Sequence, residues 1–252
     1  MRVRIDNWAA WSPGLETQDA WRTWATSPEP LGCEGVPEVK FLPPSIRRRS
    51  TGLTKMMVRA GFDCCGATLR SDVRTVFASR HGAIDIAVKI LANIVTDEPV
   101  SPTQFSHSVH NTQAGLYSIA AANRQASSSL AAEADTFASA FLEALLHLER
   151  APQTPVLVIV GDEPLPEKLL PLVDEPAAAY AAALLLSADD TGIEFRLNSS
   201  DTAPEALTPL AWPQAIEFIR WWASQSREDL SLGARRCYEF SPAADNRPGS
   251  AA

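Results

Sequence analysis

The chain has 252 residues, 46% of them hydrophobic, and a formal net charge of −8. This acidity is atypical of nucleic-acid-binding proteins, whose affinity for phosphate comes from clustered Lys and Arg side chains. Residues 1–6 lack the apolar core of a signal peptide, and no run reaches the ~18 apolar residues that span a bilayer, so we expect a cytoplasmic protein with one main domain.

Strand-like and helical segments alternate along the chain, which favours an α/β layer fold. The first strand is predicted at residues 3–8, and a helix at residues 17–26 carries Trp21 and Trp24. We interpret these early tryptophans as core or interface anchors rather than as a sugar or aromatic ligand site, because large aromatic side chains mostly serve burial.

A basic helix is predicted at residues 45–61, where apolar residues recur at helical spacing. Its charged residues are Arg47, Arg48, Arg49 and Lys55. Two interpretations stay open: a solvated helix face, or a surface that attracts an acidic protein by complementary charge.

The middle of the chain predicts two strand-to-helix units. A buried strand at residues 73–79 ends in Arg80, His81 and Gly82, and a helix follows at residues 84–95. Open α/β sheets bind ligands at such turns. Further elements are a helix at 111–122, a short strand at 127–132 and an amphipathic helix at 136–150.

The last part of the chain begins with a continuous aliphatic run at residues 156–160, typical of a strand buried on both faces. Two further strands, at residues 177–186 and 193–197, are predicted to form a hairpin. A helix is expected at residues 213–226. We divide the chain into a main domain (1–197), a loop and helix that pack on it (198–240), and a disordered tail (241–252).

The candidate chemical groups are few. His107 and His110 stand three residues apart, but no carboxylate or thiol accompanies them at ligand spacing, so we favour structural histidines and expect no metal and no cofactor. Cys64 and Cys65 have two open interpretations. They are small buried residues, or one of them is the nucleophile of an acyltransferase or condensing enzyme.

Two motifs carry a resemblance to a known family. Residues 76–82 read Val-Phe-Ala-Ser-Arg-His-Gly, and residues 101–111 read Ser-Pro-Thr-Gln-Phe-Ser-His-Ser-Val-His-Asn. With the segments 5–15, 43–60 and 156–163, they resemble the N-terminal half of the thiolase fold, a layered α/β/α structure with a mixed sheet. The resemblance covers residues 2–197. It is closest to short β-ketoacyl synthase-like proteins that act as chain length factors in aryl polyene, type II polyketide or fatty acid biosynthesis.

The resemblance implies a reactive cysteine at the start of a buried helix, where the helix dipole lowers the thiol pKa. That position falls on Ala134, within one residue, and the neighbouring Glu133 and Asp135 are poor substitutes. The family also takes two catalytic histidines from a C-terminal half, and no histidine follows residue 197. The resemblance therefore implies a catalytically silent subunit with no catalytic residue of its own.

The same resemblance implies partners and contact surfaces. An active β-ketoacyl synthase subunit would pair with this chain as a heterodimer or larger complex, and the basic helix would contact an acyl carrier protein. The implied partner interface comprises Ser127, Ser128, Ser129, Leu130 and Asn111. The implied acyl-tunnel gate comprises His81, Gln104, Phe105 and Val109. The alternatives are a free-standing enzyme that uses Cys64 or Cys65, and a free-standing ligand-binding protein.

Overall fold

An eight-stranded mixed sheet with helices on both faces forms the part of the chain that the computed structural model describes, namely residues 1–173, 176–190, 192–198, 210–233 and 236–242. The strands are β1 (Arg2–Trp11), β2 (Arg74–Ala78), β3 (Ser127–Leu130), β4 (Val156–Asp162), β5 (Tyr180–Ala188), β6 (Ile193–Asn198), β7 (Leu230–Leu232) and β8 (Cys237–Ser241). The α-helices are α1 (Gln18–Thr26), α2 (Pro44–Arg49), α3 (Gly52–Cys64), α4 (Ile84–Val95), α5 (Pro102–Ser108), α6 (Thr112–Ala121), α7 (Thr136–Arg150) and α8 (Gln214–Ala223).

The strand order is β3-β2-β4-β5-β1-β6-β8-β7, which places β3 at one edge of the sheet and β7 at the other. Strands β3, β2 and β4 are parallel to one another, and every other neighbouring pair is antiparallel. The mixed sheet confirms the predicted thiolase-like α/β/α architecture.

Strand residues alternate between two hydrophobic cores, one on each face of the sheet. Along β4, Val156 and Val158 join the core that packs against α1, α7 and α8, whereas Leu157 and Ile159 join the core that packs against α3 and α6. All seven residues of β4 are buried, which confirms the strand predicted to be buried on both faces. At Gly61, an added Cβ would lie 2.6 Å from the Ile159 side chain, so glycine lets α3 approach the sheet closely.

Helices α4 and α7 begin and end at the residues that the sequence predicts, but the predicted helix at 45–61 is two helices. Helix α2 ends at Arg49, and Ser50 is extended, with φ −80° and ψ 126°. The Thr51 side chain then accepts a hydrogen bond from the Thr54 amide (3.1 Å) and caps α3. The prediction was wrong because helical spacing of apolar residues carries no signal for this internal cap.

The predicted hairpin of β5 and β6 is also wrong, because β1 lies between these two strands. Val3 pairs with Ala188 of β5 on one side and with Ile193 of β6 on the other. An added Cβ at Gly192 would collide with the Val3 carbonyl, so glycine permits this close passage. A hairpin pattern in sequence carries no information about a third strand that inserts between its arms.

The C-terminal region contains more structure than the predicted loop and helix, since β7 and β8 extend the sheet. Ser241, the first residue of the predicted tail, closes β8, and residues 243–252 lie outside the described residues. Within the described part of the chain, no helix is both long enough and apolar enough to cross a bilayer.

Candidate functional site

The turn between β3 and α7 has a left-handed backbone at its centre. Glu133 has φ +52°, a conformation that side-chain-bearing residues adopt at a cost in energy. The Thr136 hydroxyl holds this turn: it donates to the Glu133 carbonyl (2.6 Å) and accepts from the Ala132 amide (3.0 Å). Asp135 is buried and accepts a hydrogen bond from Gln214 of α8 (3.2 Å). The turn is therefore fixed by α7 and α8 together.

This turn precedes α7, the helix that runs through the core between β4 and α8. Its strained residue is Glu133, one position before Ala134, so it lies within one residue of the position that the resemblance implies for the reactive cysteine. Glu133 is exposed and Ala134 is half-buried. Neither side chain carries a thiol or hydroxyl nucleophile.

The buried thiols lie elsewhere. Cys64 ends α3 and Cys65 follows it, and both belong to the core on the opposite face of the sheet from α7. Burial raises the pKa of the Cys64 thiol well above its usual range, and burial likewise raises the pKa of Cys65 to about 11. Thiols protonated to this degree are poor nucleophiles near neutral pH, which favours the interpretation as small buried residues.

A buried carboxylate organises the turn after β2, where His81 lies. Asp162, at the end of β4, accepts hydrogen bonds from the Ser79 hydroxyl (2.7 Å), the His81 amide (2.9 Å) and the Tyr180 hydroxyl (3.2 Å). A fourth bond comes from the Arg80 amide (3.1 Å). Burial raises the pKa of Asp162, while the hydrogen bonds from Ser79 and the backbone oppose that rise.

The structure connects this turn to the segment that carries the other predicted gate residues. The His110 Nε2 atom lies 3.0 Å from the Ser79 carbonyl, and the His110 ring lies beside Gly82. His110 thus has the structural role that the sequence predicts. His81 is half-buried, whereas Gln104, Phe105 and Val109 are exposed on or just after α5.

Next to α5 lies an apolar helix that sequence analysis did not single out. Helix α4 packs against α5, but only Ile90 of α4 is buried, and it belongs to neither core. Leu91, Ile94 and Val95 are exposed by 61%, 60% and 85%. Together with Phe105 and Val109, these residues form what we call the α4–α5 apolar surface. The sequence signal that could have found this surface is the composition of α4, which is mostly apolar although the helix is largely exposed.

The predicted interface strand β3 is an edge strand, with β2 on one side and no strand of the described residues on the other. Ser127 is exposed, and Ser128, Ser129 and Leu130 are half-buried. On the face towards α7, the Ser128 hydroxyl donates to Glu143 (3.1 Å). The remaining predicted interface residue, Asn111, is exposed immediately before α6.

The four predicted basic residues lie on two consecutive helices rather than on one. Arg47, Arg48 and Arg49 end α2, and Lys55 lies in the first part of α3. Arg48 and Arg49 are exposed, while Arg47 and Lys55 are half-buried. None of the four has an ion pair with any residue that the structure describes. Over the same residues, no group of three His, Cys, Asp or Glu side chains is arranged to hold a metal ion.

The chain belongs to the β-ketoacyl synthase family: the family model of the β-ketoacyl synthase N-terminal domain matches residues 21–240. No curated protein sequence matches the chain.

Solved structures agree with this family assignment. The chain is 26% identical to a chain in the structure of the ketosynthase ApeO in complex with its chain length factor ApeC from Xenorhabdus doucetiae, with a TM-score of 0.80, covering 96% of this chain and 99% of that one. It shares its fold with the ishigamide ketosynthase/chain length factor (15% identity, TM-score 0.59, covering 80% and 69%). It also shares its fold with the AntDE:AntF complex of a type II polyketide synthase acyl carrier protein with its ketosynthase (13% identity, TM-score 0.59, covering 78% and 70%).

Proposed function

We propose that this chain is a catalytically silent chain-length-factor subunit, which pairs with an active β-ketoacyl synthase in polyketide or fatty acid biosynthesis. The observation that carries the proposal is the turn before α7. Its backbone is strained at Glu133, one residue before Ala134, where the resemblance implies the family's nucleophile within one residue, and neither residue carries a thiol. The similarity to a chain of a ketosynthase and chain length factor complex, over nearly the whole of both chains, supports the same assignment.

Two exposed features support a partner subunit. Along one side of the edge strand β3, no strand among the described ranges pairs with the backbone, and such an edge is normally covered by another strand or protected from aggregation. The α4–α5 apolar surface exposes large side chains that a partner would remove from water, at a gain of roughly 25 cal/mol per Å². We infer that both features are buried in the heterodimer.

The native mass after co-expression tests this pairing. We expect the chain to co-purify with an active ketosynthase from the same source as a one-to-one complex or a multiple of it. A stable monomer that does not bind the synthase would contradict the proposal and favour a free-standing ligand-binding protein.

We further propose that the gate residues close the end of the partner's acyl tunnel. Phe105 and Val109 are exposed on the α4–α5 apolar surface, and the His110–Ser79 contact holds their segment against the turn that contains His81. Gln104 lies on the same short helix. Side-chain volume at these positions would then limit how many two-carbon units the product acquires.

Product length in the purified complex tests the tunnel proposal. Val109→Phe should shorten the product and Phe105→Ala should lengthen it, because these changes add and remove volume at the tunnel end. Val36→Phe is the matched control, since Val36 is 52% exposed in the loop before α2 and is expected to leave the product unchanged. Unchanged products in both gate variants, with the complex intact, would contradict the tunnel proposal but not the pairing.

The basic residues provide a docking surface for an acyl carrier protein in this proposal. Arg47, Arg48 and Arg49 form a local positive charge in a chain whose net charge is −8, and complementary charge raises the rate of association with an acidic partner. Replacing Arg48 and Arg49 by Gln should slow carrier-dependent turnover of the complex, most strongly at low salt. Equal turnover at all salt concentrations would contradict this docking surface.

A further inference from the structure

A cavity opens beside β1, in a part of the molecule that the proposed pairing does not use. It has a volume of about 750 Å³ and lies between β1, α1 and the end of α8. Small-molecule sites in proteins have volumes of roughly 300–1,000 Å³. The lining residues that matter here are Trp8, Gln18, Arg22, Trp221, Trp222 and Arg227.

The cavity exists because the sheet splits at this point. Among the described residues, the pairing between β6 and β1 is limited to the first two residues of β1, Arg2 and Val3. Further along β1, side chains of α1 take the place of a neighbouring strand: Gln18 donates to the Trp8 carbonyl (2.6 Å). Trp21 likewise donates to the Ala10 carbonyl (2.9 Å). Residues 4–7, between these two regions, line the cavity.

The walls of the cavity are rich in indole rings. Trp8 and Trp221 are each 6% exposed, and Trp222 is half-buried, with its ring centroid 6.3 Å from that of Trp221. The Arg22 guanidinium lies 5.9 Å from the centre of the Trp8 ring. Of the three indole rings, Trp222 offers the most accessible surface, and an aromatic surface favours a ligand with a flat apolar body.

The cavity is lined by three arginines, Arg4, Arg22 and Arg227, and by one carboxylate, Asp6. Arg4 is paired with Asp6 (2.5 Å) and with Asp189 (3.0 Å), and Arg22 is paired with Asp19 (2.8 Å). Arg227, by contrast, has no ion pair or hydrogen bond with any residue in the described ranges. A guanidinium without a carboxylate partner can bind a ligand carboxylate through two parallel hydrogen bonds.

We infer that this cavity binds a small organic carboxylate with a flat apolar body. The apolar body packs against Trp221 and Trp222, and the carboxylate pairs with Arg227. The inference stands on the cavity alone, so it holds or fails independently of pairing with a ketosynthase.

Calorimetric titration of the full chain with 2-naphthoate tests the inference, with the neutral 2-naphthalenemethanol as a matched probe. We expect saturable binding of naphthoate, and binding of the alcohol weaker by roughly tenfold. Arg227→Gln, an exposed position, should weaken naphthoate binding by about the same factor and leave the alcohol unaffected. Trp222→Ala should weaken both probes. Arg48→Gln is the control for nonspecific attraction to positive charge and should change neither.

Two results would overturn the inference. The first is the absence of saturable binding by naphthoate. The second is equal affinity of wild-type, Arg227→Gln and Trp222→Ala proteins, which would place the probe elsewhere.

Discussion

Asp162 is a buried carboxylate that accepts four hydrogen bonds, so its replacement should change the stability of the fold. Asp162→Asn puts an amide NH₂ where donors already converge, so we expect a loss of roughly 1–3 kcal/mol in the free energy of unfolding. Tyr180→Phe removes one hydrogen bond and keeps the ring, and should cost about 1 kcal/mol. Urea denaturation measures both changes. Equal stability of the wild-type and Asn proteins would show that the carboxylate does not hold this turn.

The stability difference between the wild-type protein and Asp162→Asn should change with pH in a defined direction. Burial raises the pKa of Asp162 in the folded chain above its unfolded value. The folded state therefore binds the proton more tightly, and the contribution of Asp162 to stability is present at low pH and is lost as pH rises through the folded pKa. The stability of the wild-type protein minus that of Asp162→Asn should consequently fall with pH over the interval that begins at about pH 4, near the unfolded pKa of an aspartate. A rise over that interval would contradict the raised pKa.

The cysteines distinguish a silent subunit from an enzyme that uses its own thiol. Cys33 is exposed, whereas Cys64 and Cys65 are buried, with pKa values raised by burial. We expect iodoacetamide at pH 8 to alkylate Cys33 in the native chain and to reach Cys64 and Cys65 only after unfolding. Peptide mass spectrometry locates the label. Rapid native labelling of Cys65, or its acylation by an acyl thioester, would favour the enzyme hypothesis.

At the scale of elements, β3 offers a test that separates pairing from folding. The Thr75 amide of β2 donates to the carbonyl of Ala126, one residue before β3 (3.1 Å), and the amide of Ser79, one residue after β2, donates to the carbonyl of Leu130 (3.3 Å). The even-numbered residues along β3 therefore bond to β2. Backbone groups of Ser127 and Ser129 therefore point to the open edge, because successive residues of a strand alternate in direction.

Ser129→Pro removes one outward-pointing amide, and we expect it to weaken association with the ketosynthase at least tenfold, by roughly 1.4 kcal/mol or more. Ser129→Ala keeps the amide and is the matched control. The dissociation constant of the complex is the measurement, with circular dichroism to establish that the free chain stays folded. A complex of unchanged affinity with the Pro variant would show that the open edge is not part of the interface.

Sequence alone predicted the elements that carry strong periodic patterns. The amphipathic α7 and the aliphatic β4 are where hydrophobic spacing placed them. The break between α2 and α3 was missed because it depends on one side-chain cap at Thr51. The insertion of β1 between β5 and β6 was missed because it joins segments about 190 residues apart, and local patterns report only local pairing.

The candidate site was predictable only in part, for a similar reason. The absence of a cysteine near Ala134 is visible in the sequence, but the strain at Glu133 depends on backbone geometry. The four hydrogen bonds to Asp162 join residues up to 83 positions apart, so no local sequence motif predicts them. The exposure of α4 becomes visible only when both cores are known.

At the scale of the whole molecule, one face of the sheet is covered by α7 together with α1 and α8. Helix α1 comes from the N-terminal part of the described chain and α8 from its C-terminal part. Aromatic residues of α7 and α8 form one cluster: Phe218 of α8 lies 5.1 Å from Phe137 and 5.8 Å from Phe141, both on α7. Phe240 of β8 lies 5.1 Å from Phe218. Trp21 of α1 is fully buried in the same core. The C-terminal segment is thus a structural part of this core, although the sequence predicted only a helix that packs on the main domain.

Replacement of Phe218 measures how much the packing of α8 on this face of the sheet contributes to the free energy of unfolding. Phe218 is fully buried, so Phe218→Ala should lower the free energy of unfolding by roughly 3–5 kcal/mol, through lost burial and the cavity left among the neighbouring rings. Ile119→Ala is the control: Ile119 is 67% exposed on α6, and its truncation should change stability by less than about 0.5 kcal/mol. Urea denaturation followed by tryptophan fluorescence reports both. A loss below about 1 kcal/mol at Phe218 would mean that α8 is dispensable for the fold and that α7 is stabilised from the sheet alone. A loss of roughly 3–5 kcal/mol would instead show that α8, whose Gln214 donates to Asp135 in the turn before α7, is required for the stability of this core.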